Sequence, residues 1–359
     1  LFQVLVHSRR GAQQAEVRRP SLSVVIMSCA MSSEVEMNHW DFCVASNDDV
    51  VAIRKGPVTG SGKTEVHVLS AAHKYQKFSL QTGTGLHLTT NSNWSFALNS
   101  EDDLVCISMG PKTGSNTTEV HILTKASNYT QFSLKTKTSL HLTNPNEWAF
   151  VLDPSNNDLL CIKRGPRTGC GRTEVHRLAA HANYQKWNLQ TGTGIHLTHF
   201  PDKGFWKFCC TKQGDLACIG MGPHTGTGKT EYHVLSKASN FTKFIVHRGT
   251  ALHYTDPVTR PWAWNFGIGS NNDLVIVGRG PTTGSGKTEV HKLSGASRHS
   301  RFNLHIATCL HLTATKIMHE AANEINPPEN MRTYSSVFAD DDIGYRHCRS
   351  MLWSPQAWS

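Results

Sequence analysis

Ten of the 21 histidines stand at two recurring places: His67, His121, His176, His233 and His291 in one set, His87, His141, His196, His253 and His311 in the other. Each of the first set follows an acid by two residues, namely Glu65, Glu119, Glu174, Glu231 and Glu289. Imidazole and carboxylate so placed can ligate zinc or bond a polar ligand. Equivalent histidines in separate copies of a repeat are too scattered to share one ion unless the two sets converge within a copy. The reading is therefore of hydrogen-bonded histidines, with no metal and no cofactor. No Ser/His/Asp or paired-carboxylate arrangement stands apart either, because whatever occurs in one copy occurs in all five. That equivalence argues against an enzyme with a single active site.

Two further motifs carry possible chemistry. Thr59-Gly-Ser-Gly-Lys-Thr64, Thr225-Gly-Thr-Gly-Lys-Thr230 and Thr283-Gly-Ser-Gly-Lys-Thr288 look like the end of a phosphate-binding loop. They fail on register, since the pattern needs glycine where Pro57, Pro223 and Pro281 stand. They fail on context as well, because a strand-like segment follows where a helix N-terminus is required. No nucleotide is expected. The acidic turns Asn47-Asp48-Asp49, Glu101-Asp102-Asp103, Asn156-Asn157-Asp158, Gly214-Asp215 and Asn271-Asn272-Asp273 lack the length of a calcium loop. They read as tight turns in which Asp or Asn bonds local backbone.

The elements that must position these residues come from one unit written five times. W-x-F recurs at Trp40, Trp94, Trp148, Trp206 and Trp264, giving periods of 54, 54, 58 and 58 residues. After W-x-F and a polar turn comes an apolar run such as Asp103-Leu-Val-Cys-Ile107, whose length and β-branched content fit a buried strand. A Gly-Pro-x-Thr-Gly loop ends it, and Thr-Glu-Val-His-x-Leu alternates polar with apolar as a third strand should. A fourth run, Phe78-Ser-Leu80 in the first copy, leads to Leu-His-Leu-Thr before the next tryptophan. Four short antiparallel strands per unit predict an all-β five-bladed β-propeller, with blades at about 40–93, 94–147, 148–205, 206–263 and 264–315. Residues 1–39 and 316–359 match no repeat and are expected to be poorly ordered extensions.

Composition narrows the class. With 38% hydrophobic and 18% charged residues the 359-residue chain reads as soluble, and no run is long enough for a membrane span. The net charge of +9 is scattered, so nucleic acid is not the expected partner. Of ten cysteines, Cys106, Cys161 and Cys218 share one second-strand position with Ala52 and Ile276, as small core residues would. The remainder show no paired C-x₂-C spacing, which favours a reducing compartment. Leu22–Met27 makes a poor signal peptide, so a cytoplasmic or non-classically secreted location is preferred to a signal-peptide route.

D-L-V-x-I-x-x-G, T-G-T/S-G-x-T-E-V-H-V-L-S and S-x-Y-x-x-F-x-L-Q-T-G-T-x-L-H resemble FG-GAP/VCBS-like tandem repeats over roughly 40–313. Five blades are also similar in architecture to tachylectin-like lectins. The resemblance implies a propeller that binds glycans or glycoproteins. The longer calcium loop of those repeats is shortened here, so calcium is not carried over. A multivalent, non-enzymatic lectin with one equivalent site per blade is the expected function. Thr59, Lys63, His87 and their equivalents would lie on one rim, with Glu65 and His67 entering the next strand. The site set is Thr59, Lys63, Glu65, His67 and His87, then Glu119, His121 and His141. It continues with Glu174, His176 and His196, with Lys229, Glu231, His233 and His253, and with Lys287, Glu289, His291 and His311. Tyr75, Tyr129 and Tyr184 would stack on sugar rings, while Trp40 and its counterparts form core. Alternatives are a protein-interaction scaffold, distinguished by exposed loops that differ between blades, and an accessory domain of a larger secreted protein.

Overall fold

The computed structural model describes residues 39–56, 59–89, 93–111, 113–199, 206–222, 225–253, 255, 263–279, 283–311 and 313, and these residues form five four-stranded sheets. Strand order within each sheet is chain order, and every pair is antiparallel. In blade 1 the strands are Trp40–Val44, Val50–Arg54, Glu65–Leu69 and Phe78–Gly83. The other first strands are Trp94–Leu98, Trp148–Leu152, Trp206–Cys210 and Trp264–Ile268. Each first strand packs on the first strands of both neighbours, the fifth on the first included. The ring therefore closes at five blades. Most of the extensions expected at the two ends lie outside the described residues, as do the loop segments 57–58, 223–224 and 280–282. No helix among the described residues is long and apolar enough to cross a membrane.

The core lies between blades. Phe42, Ala52 and His67 are opposite one another across three strands and so share a face, while Val51, Ile53 and Val66 point the other way. The first face packs on Val275, Val277 and Val290 of blade 5, and the second on Phe96, Leu104 and Cys106 of blade 2. Burying both faces this way is what makes a lone blade inadequate and a ring stable. Cys106, Cys161 and Cys218 are fully buried, as the sequence predicts.

Each residue of Thr-Glu-Val-His has a structural task. Thr64 Oγ1 donates to His87 O at 2.6 Å and lies 3.0 Å from Thr89 Oγ1, which fastens the end of the fourth strand to the start of the third. The bond recurs from Thr118, Thr173, Thr230 and Thr288. Glu65 Oε1 accepts the Ser61 amide at 2.8 Å and so closes the loop that mimics a phosphate cradle. Val66 is core, and His67 lies between Trp40 and Phe78, its ring centroid 5.4 and 6.0 Å from theirs.

At the opposite end, the last Asp of each acidic turn accepts a backbone amide 22 residues on, from Ala71, Lys125, Ala180, Lys237 or Gly295 at 2.6–2.9 Å. The preceding acid does something the local-turn reading omits. Asp102 accepts Ser46 N at 2.7 Å and Ser46 Oγ at 2.8 Å from blade 1, and pairs with Lys125 Nζ at 2.9 Å. Asp48 bonds Ser270 Oγ at 2.9 Å and Lys292 Nζ at 3.0 Å across the closure between blades 5 and 1. Blade 4 has Gly214 at this position, and Asp153 of blade 3 supplies the carboxylate instead, 2.6 Å from Lys237 Nζ. These turns thus join neighbouring blades as well as their own strands.

Candidate functional site

The middle residue of W-x-F points away from the tryptophan and phenylalanine and into the axis of the ring. Here the five copies disagree: the position holds Asp41, Ser95, Ala149, Lys207 and Asn265. The residue after each second strand is equally varied, with Lys55, Met109, Arg164, Met221 and Arg279. All but Met221 line one central cavity of about 530 Å³, together with Trp94, Trp148 and Trp206. Lys55 N bonds His39 O and Arg279 N bonds Ala263 O, so the positions that carry these cations are fixed by the last ladder bonds of their sheets.

Four cations therefore surround one carboxylate on this band of the cavity. Lys55 and Arg279 are each only 3% exposed. Burial pushes the Lys207 amine down to about 8, and the neighbouring Arg279 adds to the effect while Asp41 opposes it. Burial likewise lowers Lys55, and brings Arg164 and Arg279 each to about 10. Asp41 Oδ1 accepts Phe42 N at 3.0 Å and Asn265 Nδ2 at 3.2 Å. Asn265 Oδ1 and Arg164 Nε are buried without hydrogen-bond partners. A cavity holding an excess of cations and unmet polar atoms is suited to an anion that also offers hydrogen-bonding groups.

The residues nominated from the repeat fall elsewhere. Glu65–His67, Glu119–His121, Glu174–His176 and Glu231–His233 are hydrogen-bonded pairs at 3.1–3.3 Å. The remaining carboxylate oxygen of each holds its loop, as it does in Glu289. The second histidines do not meet the first within a blade. His87 reaches across the boundary to Trp94, with His121 on that ring's other side, at 5.6 and 5.8 Å. His141, His196 and His253 repeat this against Trp148, Trp206 and Trp264. His311 is exposed at the end of the last strand, where its carbonyl accepts Thr288 Oγ1. Thr59 Oγ1 is spent on Lys63 O at 2.6 Å, whereas Lys63, Lys229 and Lys287 are exposed on the loops.

The three tyrosines are a correction. Tyr75, Tyr129 and Tyr184 are at most 3% exposed, and their hydroxyls donate to Asp48 O, Asp102 O and Asn157 O at 3.0–3.2 Å. They close the opposite end of the blade and have no free face on which a sugar could stack.

Burial depresses His67, His121 and His176 below their usual 6.5, against the opposing pull of Glu65, Glu119 and Glu174. A histidine whose folded pKa is lowered binds fewer protons folded than unfolded, so stability falls as pH drops through about 6.5. The urea midpoint is expected to be lower at pH 5 than at pH 7.5, and an unchanged midpoint would show that these rings titrate as freely as in the unfolded chain.

No protein-family model and no curated protein matches the sequence. Among solved structures the chain is similar to a structural-genomics protein of unknown function from Bacteroides thetaiotaomicron, with 10% identity and a TM-score of 0.42, over 78% of this chain and 62% of that one. It is similar to the β-propeller domain of the Trilobed protease from Pyrococcus furiosus, with 9% identity and a TM-score of 0.34, over 75% and 69%. A third is an exo-β-1,3-galactanase from Phanerochaete chrysosporium, with 13% identity and a TM-score of 0.40, over 74% and 62%. The chain thus spans somewhat under two thirds of the first relative. These likenesses concern the fold alone, and they do not confirm the resemblance to FG-GAP/VCBS repeats or tachylectins.

They do correct one expectation. The expectation of a non-enzymatic chain is withdrawn, and the solved propellers similar in fold include a galactanase, a puromycin hydrolase and an oligogalacturonate lyase. The physical reason lies on the first strands. Fivefold equivalence rules out a single site only if it extends to the axis, and at Asp41, Ser95, Ala149, Lys207 and Asn265 it does not.

Proposed function

We propose that this propeller binds a small acidic carbohydrate in its central cavity. The observation that carries the reading is the break in fivefold symmetry, which gathers Lys55, Arg164, Lys207 and Arg279 around one space of about 530 Å³. A carboxylate or phosphate on the ligand would meet these cations in a medium where charge-assisted bonds are strong. Asn265 Oδ1 and Asp41 offer acceptors to hydroxyls, and Trp94, Trp148 and Trp206 give the wall apolar surface for the carbon skeleton of a sugar.

The histidine–tryptophan–histidine grouping repeated at the blade boundaries supports a second reading, a multivalent lectin. Trp94 and His121 are partly exposed beside His87, and this grouping recurs between blades. Calorimetric titration with a uronic acid, a sugar phosphate and the neutral parent sugar separates the two. The central site predicts one acidic ligand per chain, weakening with salt, and no binding of the neutral sugar. Several ligands per chain, with the neutral sugar bound equally, would transfer the function to the blade boundaries. No binding of any acidic sugar would end the proposal.

A further inference from the structure

The residue facing each first-set histidine from the fourth strand is Gln81, Lys135, Gln190, His247 and His305 in blades 1 to 5. Only the last two blades oppose two imidazoles. In blade 4 the pair is already satisfied: His233 Nδ1 lies 2.9 Å from His247 Nδ1, and its Nε2 lies 3.1 Å from Glu231 Oε2. Blade 5 differs. His291 is 5% exposed; its Nδ1 has no hydrogen-bond partner, and its Nε2 faces Glu289 outside good hydrogen-bond geometry. Its ring lies 4.1 Å from that of His305, and Glu289 Oε2 is 3.3 Å from His291 Nε2 and 3.8 Å from His305 Nε2.

We propose that Glu289, His291 and His305 bind a divalent cation of the zinc class. Their three ligand atoms lie within 4.8 Å of one another. Ligands each about 2.1 Å from a tetrahedral zinc ion are roughly 3.4 Å apart, so the separations need only small rotamer adjustments. A buried imidazole nitrogen left unmet, as His291 Nδ1 is, is costly, and a metal bond supplies the missing partner. Glu289 is held for the task, since its other oxygen accepts Ser285 N at 3.1 Å. Two nitrogens and one oxygen favour zinc, copper or nickel over calcium or magnesium. The side chain of His305 is 63% exposed, which gives the ion a way in and leaves a fourth position for water.

The test uses the full chain, stripped with a chelator, titrated with zinc chloride by calorimetry and with cobalt(II) by visible absorption. One ion with the bands of nitrogen and oxygen ligation is expected. His305→Ala should weaken it at least tenfold, and His247→Ala should leave it unchanged. Because His305 projects into solvent, its variant keeps the fold, which circular dichroism checks. Thiolate charge-transfer bands that persist in His305→Ala would put the ion on cysteines and overturn the site, as would equal affinity in that variant or no saturable binding by the wild-type chain.

Discussion

Lys207→Met should weaken acidic-sugar binding by about thirtyfold and leave the propeller at least as stable as the wild type. The two effects have opposite signs because they have different origins. Without ligand, the Lys207 amine is desolvated and crowded by Arg279, Arg164 and Lys55, and only Asp41 favours its charge. Methionine fills a similar volume with no charge to bury, and such replacements are commonly neutral or stabilising. With ligand, the amine becomes one half of a buried ion pair, whose truncation costs about 2 kcal/mol or more, roughly a thirtyfold loss of affinity. Calorimetry with thermal denaturation reads both quantities. A variant that binds normally would remove Lys207 from the site, and one that unfolds would make its charge part of the structural framework instead.

Asp102→Ala should destabilise the ring by about 2 kcal/mol. The carboxylate is 4% exposed and ties three groups together: the Ser46 amide, the Ser46 hydroxyl and Lys125 Nζ. Truncation leaves the Ser46 amide unpaired at a blade junction and loosens Lys125, although that half-exposed amine contributes less. Burial alone would raise the Asp102 pKa, but the Lys125 and Ser46 bonds outweigh it and the net direction is down. Its contribution is accordingly present above the ordinary carboxylate range and lost as the pH falls through the folded value. Urea denaturation at pH 7 is the measurement. A loss below about 1 kcal/mol would mean that the junction rests on apolar packing alone.

The sequence and the structure agree on the strands and blades, which repetition makes legible, and part over what individual side chains do. Trp40 and Phe42 were legible as one face of a strand because their types and their spacing of two recur. The intervening Asp41 was not, since a position that reads Asp, Ser, Ala, Lys and Asn looks unconstrained when only repetition is sought. Thr64, Glu65 and His67 show the converse. Their recurrence suggested ligand contacts, yet it reflects a bond to His87 O, a loop closure and a ring contact that every blade needs. Tyr75 was misplaced because nothing in its neighbourhood announces that its hydroxyl will reach Asp48 O, 27 residues away. His305 escaped notice because only one other blade, with His247, has histidine at its position. In a tandem repeat, constancy marks what builds the ring, and departures from it show where the ring can become specific.

Among the described residues every blade is built from its own consecutive residues, and no strand crosses from the fifth to the first. Their junction has no strand pairing: Asp48 bonds Ser270 and Lys292, Cys309 N donates to Tyr75 O at 3.1 Å, and Gly267 lies so close to Val44 that an added Cβ would come 2.4 Å from its Cγ2. At the other four junctions the polypeptide itself tethers the partners and keeps their effective concentration high. Under load applied to His39 and His311, separation should begin at that fifth junction and proceed as a hinged opening of intact blades. A circular permutant that joins blade 5 to blade 1 and opens the chain between blades 2 and 3 would move this weak point while preserving every sheet.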